Sequence, residues 1–189
     1  MNKINFLFGI LVLTFAFGIL GSSVWGAIRL VVNLSPTPMP LPTPTPTIDY
    51  VLPYPGVLPD SPFYTIKMIR DRIVLLLTTD PINKTEKLLL YADKRLGAAQ
   101  ALFEGNKANL GASTVTKAEK YLEQAATEYQ QAKKTNKDVS LLFQKLNLAT
   151  LKHEEVLNGL ANKSTGELKS VLDEALKTTL NSKSLLLKE

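Results

Sequence analysis

His153 is the only histidine of the chain. It stands in the run Lys152-His153-Glu154-Glu155-Val156-Leu157. An imidazole beside carboxylates is the beginning of a metal site, a general base or a pH sensor. A zinc site needs three or four ligands, and this run lacks the second histidine of H-E-x-x-H. A serine triad would have to use the same imidazole, yet no serine sits in a G-x-S-x-G turn, and S-x-x-K is absent. There is no cysteine, which removes thiolate nucleophiles, disulfides and cysteine metal ligands. The pairs Glu154/Glu155 and Asp173/Glu174 are neighbours in sequence, so on a helix they diverge by about 100° and make no acid–base pair by themselves. No phosphate-cradling glycine loop and no EF-hand spacing occurs. The sequence predicts no enzyme, no catalytic residue, no cofactor and no metal. It makes His153 a hydrogen-bonded residue at a helix interface, with a functional role as the alternative.

The second chemistry-bearing group is basic: Lys67, Arg70 and Arg72 around Asp71, and Asp93-Lys94-Arg95 further on. Lys67 and Asp71 lie four apart and can pair along one helix face. Arg70 or Arg72 would reach Asp93 if the two helices pack antiparallel. That predicts a structural clamp, with anion or lipid head-group binding as its alternative role. The formal net charge is +5, with signs interspersed. No arginine-rich run or basic-aromatic platform points to nucleic acid. The excess suits anionic lipid head groups or an anionic envelope polymer, with a solvated mixed-charge surface as the alternative, and a protein partner is a separate expectation.

These groups need elements to hold them, and the chain divides sharply. Residues 1–5 carry one side-chain positive charge, Lys3. Phe6–Val32 is a long apolar block interrupted only by small residues, Trp25 and Arg29, long enough to cross a bilayer, which needs about 20 residues. A cleaved signal peptide would use Val24 and Gly26 at its small-residue site. The block resumes after those residues, so the expectation is an uncleaved single-pass anchor, with the N-terminus cytoplasmic and the rest extracytoplasmic. Gly18, Ser22 and Gly26 recur every fourth residue and suggest weak homodimer packing of two anchors. Residues 33–51 form a linker in which every second residue from Pro36 to Pro46 is proline. Such a segment is a stiff extended spacer of roughly 35–40 Å.

Residues 52–189 read as an all-α domain. Phe63, Ile66, Ile69, Ile73 and Leu76 mark a first amphipathic helix, capped by Asp60 or Ser61 with Pro62 at its start. Asp80-Pro81 opens a second, which runs to about Glu104 with Leu88 or Leu89, Ala92, Leu96, Ala99 and Phe103 on one face. Gly105 ends it and Asn106 caps a third, with Ala118, Leu122, Ala125, Tyr129 and Ala132 inward. After a polar loop at 133–138, Val139, Leu142, Leu146, Ala149, His153, Val156 and Leu160 form the seam of a fourth. Ser164-Thr165-Gly166-Glu167 reads as a capping box for a fifth carrying Leu168, Leu172, Ala175, Thr179 and Leu186. Five helices with short loops predict an antiparallel up-and-down bundle. Residues 81–134 also have the look of a tetratricopeptide pair, although no 34-residue repeat is present.

The run LPYPGVLPDSPFYTIKMIRDR, then the Asp-Pro helix start, YADKRL, KAEKYLEQA and LKHEEVL, resembles an uncharacterised bacterial family, a domain of unknown function found in membrane-anchored envelope proteins. The resemblance covers about Leu52–Glu189. It implies an extracytoplasmic all-helical domain behind an N-terminal anchor and brings no catalytic residues with it. The expected function is an interaction or scaffold module on the cell envelope. A ligand- or signal-sensing ectodomain is one alternative, with His153 or Arg70 lining a groove. An envelope enzyme or enzyme accessory is the other, with polar groups converging in an open cleft.

Overall fold

The computed structural model describes residues 48–135 and 137–188. The apolar block Phe6–Val32, the small-residue stripe at Gly18, Ser22 and Gly26, and most of the proline-rich linker lie outside the described residues. Among those described, no helix is long and apolar enough to cross a membrane.

Five helices and no strands account for the regular structure of the described residues. They are α1 (Tyr64–Leu77), α2 (Pro81–Glu104), α3 (Ala108–Lys133), α4 (Ser140–Asn162) and α5 (Gly166–Leu186). Asp80 caps α2 as the sequence predicts: its carboxylate accepts from the Asn83 amide at 3.0 Å, and Pro81 takes the first turn, where no N–H is needed.

Other boundaries differ from expectation. α1 starts at Tyr64, because Ser61 and Pro62 form a turn in which Ser61 Oγ accepts from the Phe63 amide. Asn106 does not cap α3. It adopts the left-handed conformation (φ 58°) that closes α2, a conformation asparagine tolerates. The capping box at Ser164 does not form, because Ser164 Oγ donates back to the Leu160 carbonyl. Thr165 is the N-cap, without a side-chain bond, and Gly166 enters α5 at φ 59°.

α2–α3 and α4–α5 are antiparallel hairpins, but the hairpins meet in parallel. Near their C-termini, Gln130 of α3 donates to the Leu185 carbonyl of α5, and Lys133 Nζ reaches the Lys188 carbonyl at 2.7 Å. The N-terminal turns of α3 and α5 share one groove, and the C-terminal halves of α2 and α4 share another. Bundle neighbours are therefore α2–α3, α3–α5, α5–α4 and α4–α2, not the simple sequential order expected. α2 and α3 approach closely because Gly111 leaves room: a Cβ there would lie 2.7 Å from Cδ2 of Phe103.

The core falls into two apolar clusters. One gathers Leu88, Leu89, Leu122, Ala125, Tyr129, Leu142, Leu146 and Leu186. The other gathers Leu96, Val115, Ala118, Val156, Leu157 and Leu172. Alanines at Ala92, Ala99, Ala125 and Ala149 are wholly buried, which lets the helix axes draw together.

The first helix reverses the expected pattern. Its stripe of Phe63, Ile66, Ile69, Ile73 and Leu76 faces outward, and Tyr64 and Asp71 are its buried residues. α1 packs its backbone against α2 alone among the helices. The residues before α1 also touch the bundle. Pro53 and Pro55 lie beside Gly97 of α2, where a Cβ would stand 3.7 Å from the Pro53 carbonyl oxygen and 3.8 Å from Pro55 Cδ.

Candidate functional site

Between the two apolar clusters lies a layer of polar side chains. His153 of α4 is completely buried. Its Nδ1–H donates to Glu119 Oε1 of α3 at 2.9 Å, and its Nε2–H to Asp93 Oδ1 of α2 at 3.1 Å. Thr179 of α5 donates to Glu119 Oε2 at 2.7 Å. Tyr50, from the segment before α1, donates to Asp93 Oδ2 at 2.6 Å. Five residues from five separate stretches of chain thus satisfy one another.

The heptad-like seams place them. Asp93 lies between Leu89 and Leu96 on the inner stripe of α2, Glu119 between Val115 and Leu122, and His153 between Ala149 and Val156. Each charge occupies a position where its helix turns inward.

With a carboxylate at each ring nitrogen, the imidazole is satisfied only when both nitrogens carry hydrogen. Burial alone would lower its pKa. The Glu119 charge and the hydrogen bonds to Asp93 and Glu119 outweigh that, and the pKa rises to about 9. The layer therefore holds an imidazolium between two carboxylates. Burial, then the charge and hydrogen bond of Asp93, push the Tyr50 phenol far above its usual range, so it remains a donor.

This arrangement ties α2, α3, α4, α5 and the segment before α1 to one another. His153, Asp93 and Glu119 are each at most 3% exposed, so a substrate has no access to them. Among the described residues no group of histidine and carboxylate side chains could hold a metal ion.

The basic cluster takes a different form from the clamp predicted. Neither Arg70 nor Arg72 reaches Asp93, whose oxygens are taken by His153 and Tyr50. Arg70 instead pairs with its neighbour Asp71, through Nη2 at 2.7 Å and Nε at 3.1 Å. Arg72 is exposed. Lys67 does not pair with Asp71. It donates to the carbonyls of Pro55 (2.7 Å) and Val57 (3.2 Å), stitching α1 to the segment before it. Burial, foremost, lowers the Lys67 pKa.

The inner face of α1 meets Arg95, whose guanidinium lies 4.1 Å from the centre of the Tyr121 ring and 6.0 Å from that of Tyr91. Those two rings meet edge to face at 6.2 Å. The charges of Arg95 and Asp71 both bear on the Tyr64 hydroxyl. A buried guanidinium and its aromatic partners on α2 and α3 explain why α1 turns its polar side inward.

The surface grooves lie elsewhere. One is lined by Phe103, Lys152, Glu155, Val156 and Leu160 between α2 and α4. A second runs between the N-terminal turns of α3 and α5. Neither His153 nor Arg70 lines either of them.

Sequence reading singled out Asp93 and His153 but did not bring them together. It placed Thr179 on the stripe of the fifth helix without a role there, and it missed Tyr50 and Glu119. A charge at a stripe position, as at Asp93, Glu119 and His153 alike, was the available signal.

The profile of a family described as a domain of unknown function (DUF5667) matches residues 56–167. The match takes in α1 to α4 and the first residues of α5, and with them Asp93, Glu119 and His153. No curated protein and no solved structure matches the chain.

Proposed function

The chain belongs to the DUF5667 family of domains of unknown function, and from that premise we propose that it is a single-pass membrane protein whose extracytoplasmic helical bundle is an interaction or scaffold module on the cell envelope. The observation that carries this reading is the contrast between centre and surface. His153, Asp93 and Glu119 are sealed in the core, whereas α1 leaves five apolar side chains exposed. A domain built this way offers an apolar surface to a partner while its histidine–carboxylate layer stays out of reach. The block Phe6–Val32 supplies the anchor and residues 33–51 the spacer.

Protease shaving of intact cells tests the reading. An added protease should remove residues 52–189, while a tag fused before Met1 stays protected and remains in the membrane pellet after an alkaline wash. The intact mass of the mature chain should include residues 1–32. A domain protected in intact cells, or a chain released by the wash, overturns the proposal.

A further inference from the structure

On α1, successive side chains turn by about 100°. Ile69 and Ile73 lie at the middle of the outer face. Ile66 and Leu77 flank them on one side and Leu76 on the other. These five are 66% (Ile66), 55% (Ile69), 51% (Ile73), 82% (Leu76) and 74% (Leu77) exposed. Arg70 stands at one margin of this stripe and Arg72 at the opposite margin, each about 80° from its centre. The only acid of α1, Asp71, points inward and is buried. The face is therefore apolar along its midline and free of exposed acid, with Arg72 on one edge and, on the other, Arg70, whose side chain stays 66% exposed while it pairs with Asp71.

A second copy fits this face poorly. A two-fold contact would bring the Arg72 margins of two copies together with no exposed α1 carboxylate to neutralise them, because Asp71 is buried and already engaged by Arg70. A 14-residue helix, about 21 Å long, also offers only a few hundred Å², well under the roughly 800 Å² per partner of a stable interface. A bilayer fits it well. Arginine stems cover the border of an apolar stripe while their guanidinium groups meet lipid phosphates. Resting on the anchored reading above, the face is also within reach. Residues 33–47 span at most roughly 50 Å when fully extended, which bounds how far the domain can stand from the surface that holds Phe6–Val32.

We propose that α1 lies flat on the anionic surface of the membrane, with Ile66, Ile69, Ile73, Leu76 and Leu77 in the acyl boundary and Arg70 and Arg72 at the head-group phosphates.

The chain has no cysteine, so Ile73→Cys gives a unique labelling site, and Leu180→Cys on α5 gives an exposed control. Each full-length variant would carry an environment-sensitive dye and be reconstituted into vesicles of phosphatidylcholine with phosphatidylglycerol. Lipid-borne nitroxide should quench the dye at position 73 several-fold more than at 180. Arg72→Gln should reduce occupancy about fivefold, and replacement of the anionic lipid by pure phosphatidylcholine should reduce it at least as much. A chain that floats with the vesicles but shows equal quenching at 73 and 180 overturns the docking of α1 and leaves the anchored reading standing. Shielding at 73 that persists in detergent without nitroxide quenching points to the chain's own N-terminal segment; shielding that rises with protein density points to a second copy. Either result overturns the proposal. A chain that fails to float overturns both readings.

Discussion

The Tyr50 hydroxyl stands 2.6 Å from Asp93 Oδ2 and donates to it, while the other oxygen of that carboxylate accepts from His153. The segment before α1 is thereby fastened to the centre of the bundle rather than lying loosely on it. Tyr50→Phe removes the bond and leaves the ring. The expected loss is about 1–2 kcal/mol, read from urea unfolding. Amide exchange should rise in residues 50–57 and stay unchanged in α2 to α5.

His153→Leu leaves two buried carboxylates without their cation. Breaking a buried pair in this way costs roughly 3–5 kcal/mol. Glu119→Gln in the same chain removes one of the stranded charges. The double variant should therefore be less destabilised than the sum of the single ones, as a double-mutant cycle measures. Additive costs would mean that the two side chains do not sense each other.

The imidazolium ties stability to pH. His153 is faced by Asp93 of α2 and Glu119 of α3, with the Thr179 hydroxyl of α5 on Glu119 and the Tyr50 phenol on Asp93. Its folded pKa is raised from 6.5 to about 9. Its contribution is thus fully present below the unfolded value and fades as pH climbs through the folded one. The expected loss across that window is on the order of 3 kcal/mol. Urea midpoints measured through it should fall for the natural chain and stay nearly level for His153→Leu.

Gly111→Ala places a methyl 2.7 Å from Phe103 Cδ2 and 3.4 Å from the Ala99 carbonyl oxygen. Overpacking of this kind costs about 1–3 kcal/mol. Phe103→Leu should relieve most of it, because the ring is the nearest obstacle. A Gly111→Ala chain that melts like the parent would show that the ring shifts freely.

Ile69→Ser with Ile73→Ser should change stability by no more than roughly 0.5 kcal/mol in detergent solution, as expected for exposed sites. The same pair packed in a core would cost several kcal/mol. Thermal unfolding of the detergent-solubilised chain separates these outcomes.

Much of the helical framework can be read along the chain, because caps and apolar periodicity are local properties. Asp80-Pro81 marks the start of α2, and the seam from Leu142 to Val156 marks the inner face of α4. The direction α1 faces is not local. Ile66, Ile69 and Ile73 show that a helix forms, but whether that stripe turns inward depends on Arg95, Tyr91 and Tyr121 on two later helices. The polar layer is hidden for the same reason. Glu119 shares its helix with Glu123 and Glu128, and only the arrival of His153, 34 residues later, distinguishes it from those acids. Hairpin order is also silent in sequence, since short loops fix antiparallel partners within a hairpin but not which helices the two hairpins bring together.

The proline-flanked segment at Tyr50 has a mechanical meaning. Tension arriving along the chain through Ile48 meets the Tyr50–Asp93 bond before it can reach α1. The turn at residues 58–63 and α1 itself lie downstream of that bond. A pull from the N-terminal side would thus load the waist of the bundle and not a terminal helix. A tug that would fray an end-attached helix turn by turn must here first break a hydrogen bond anchored to a buried ion pair.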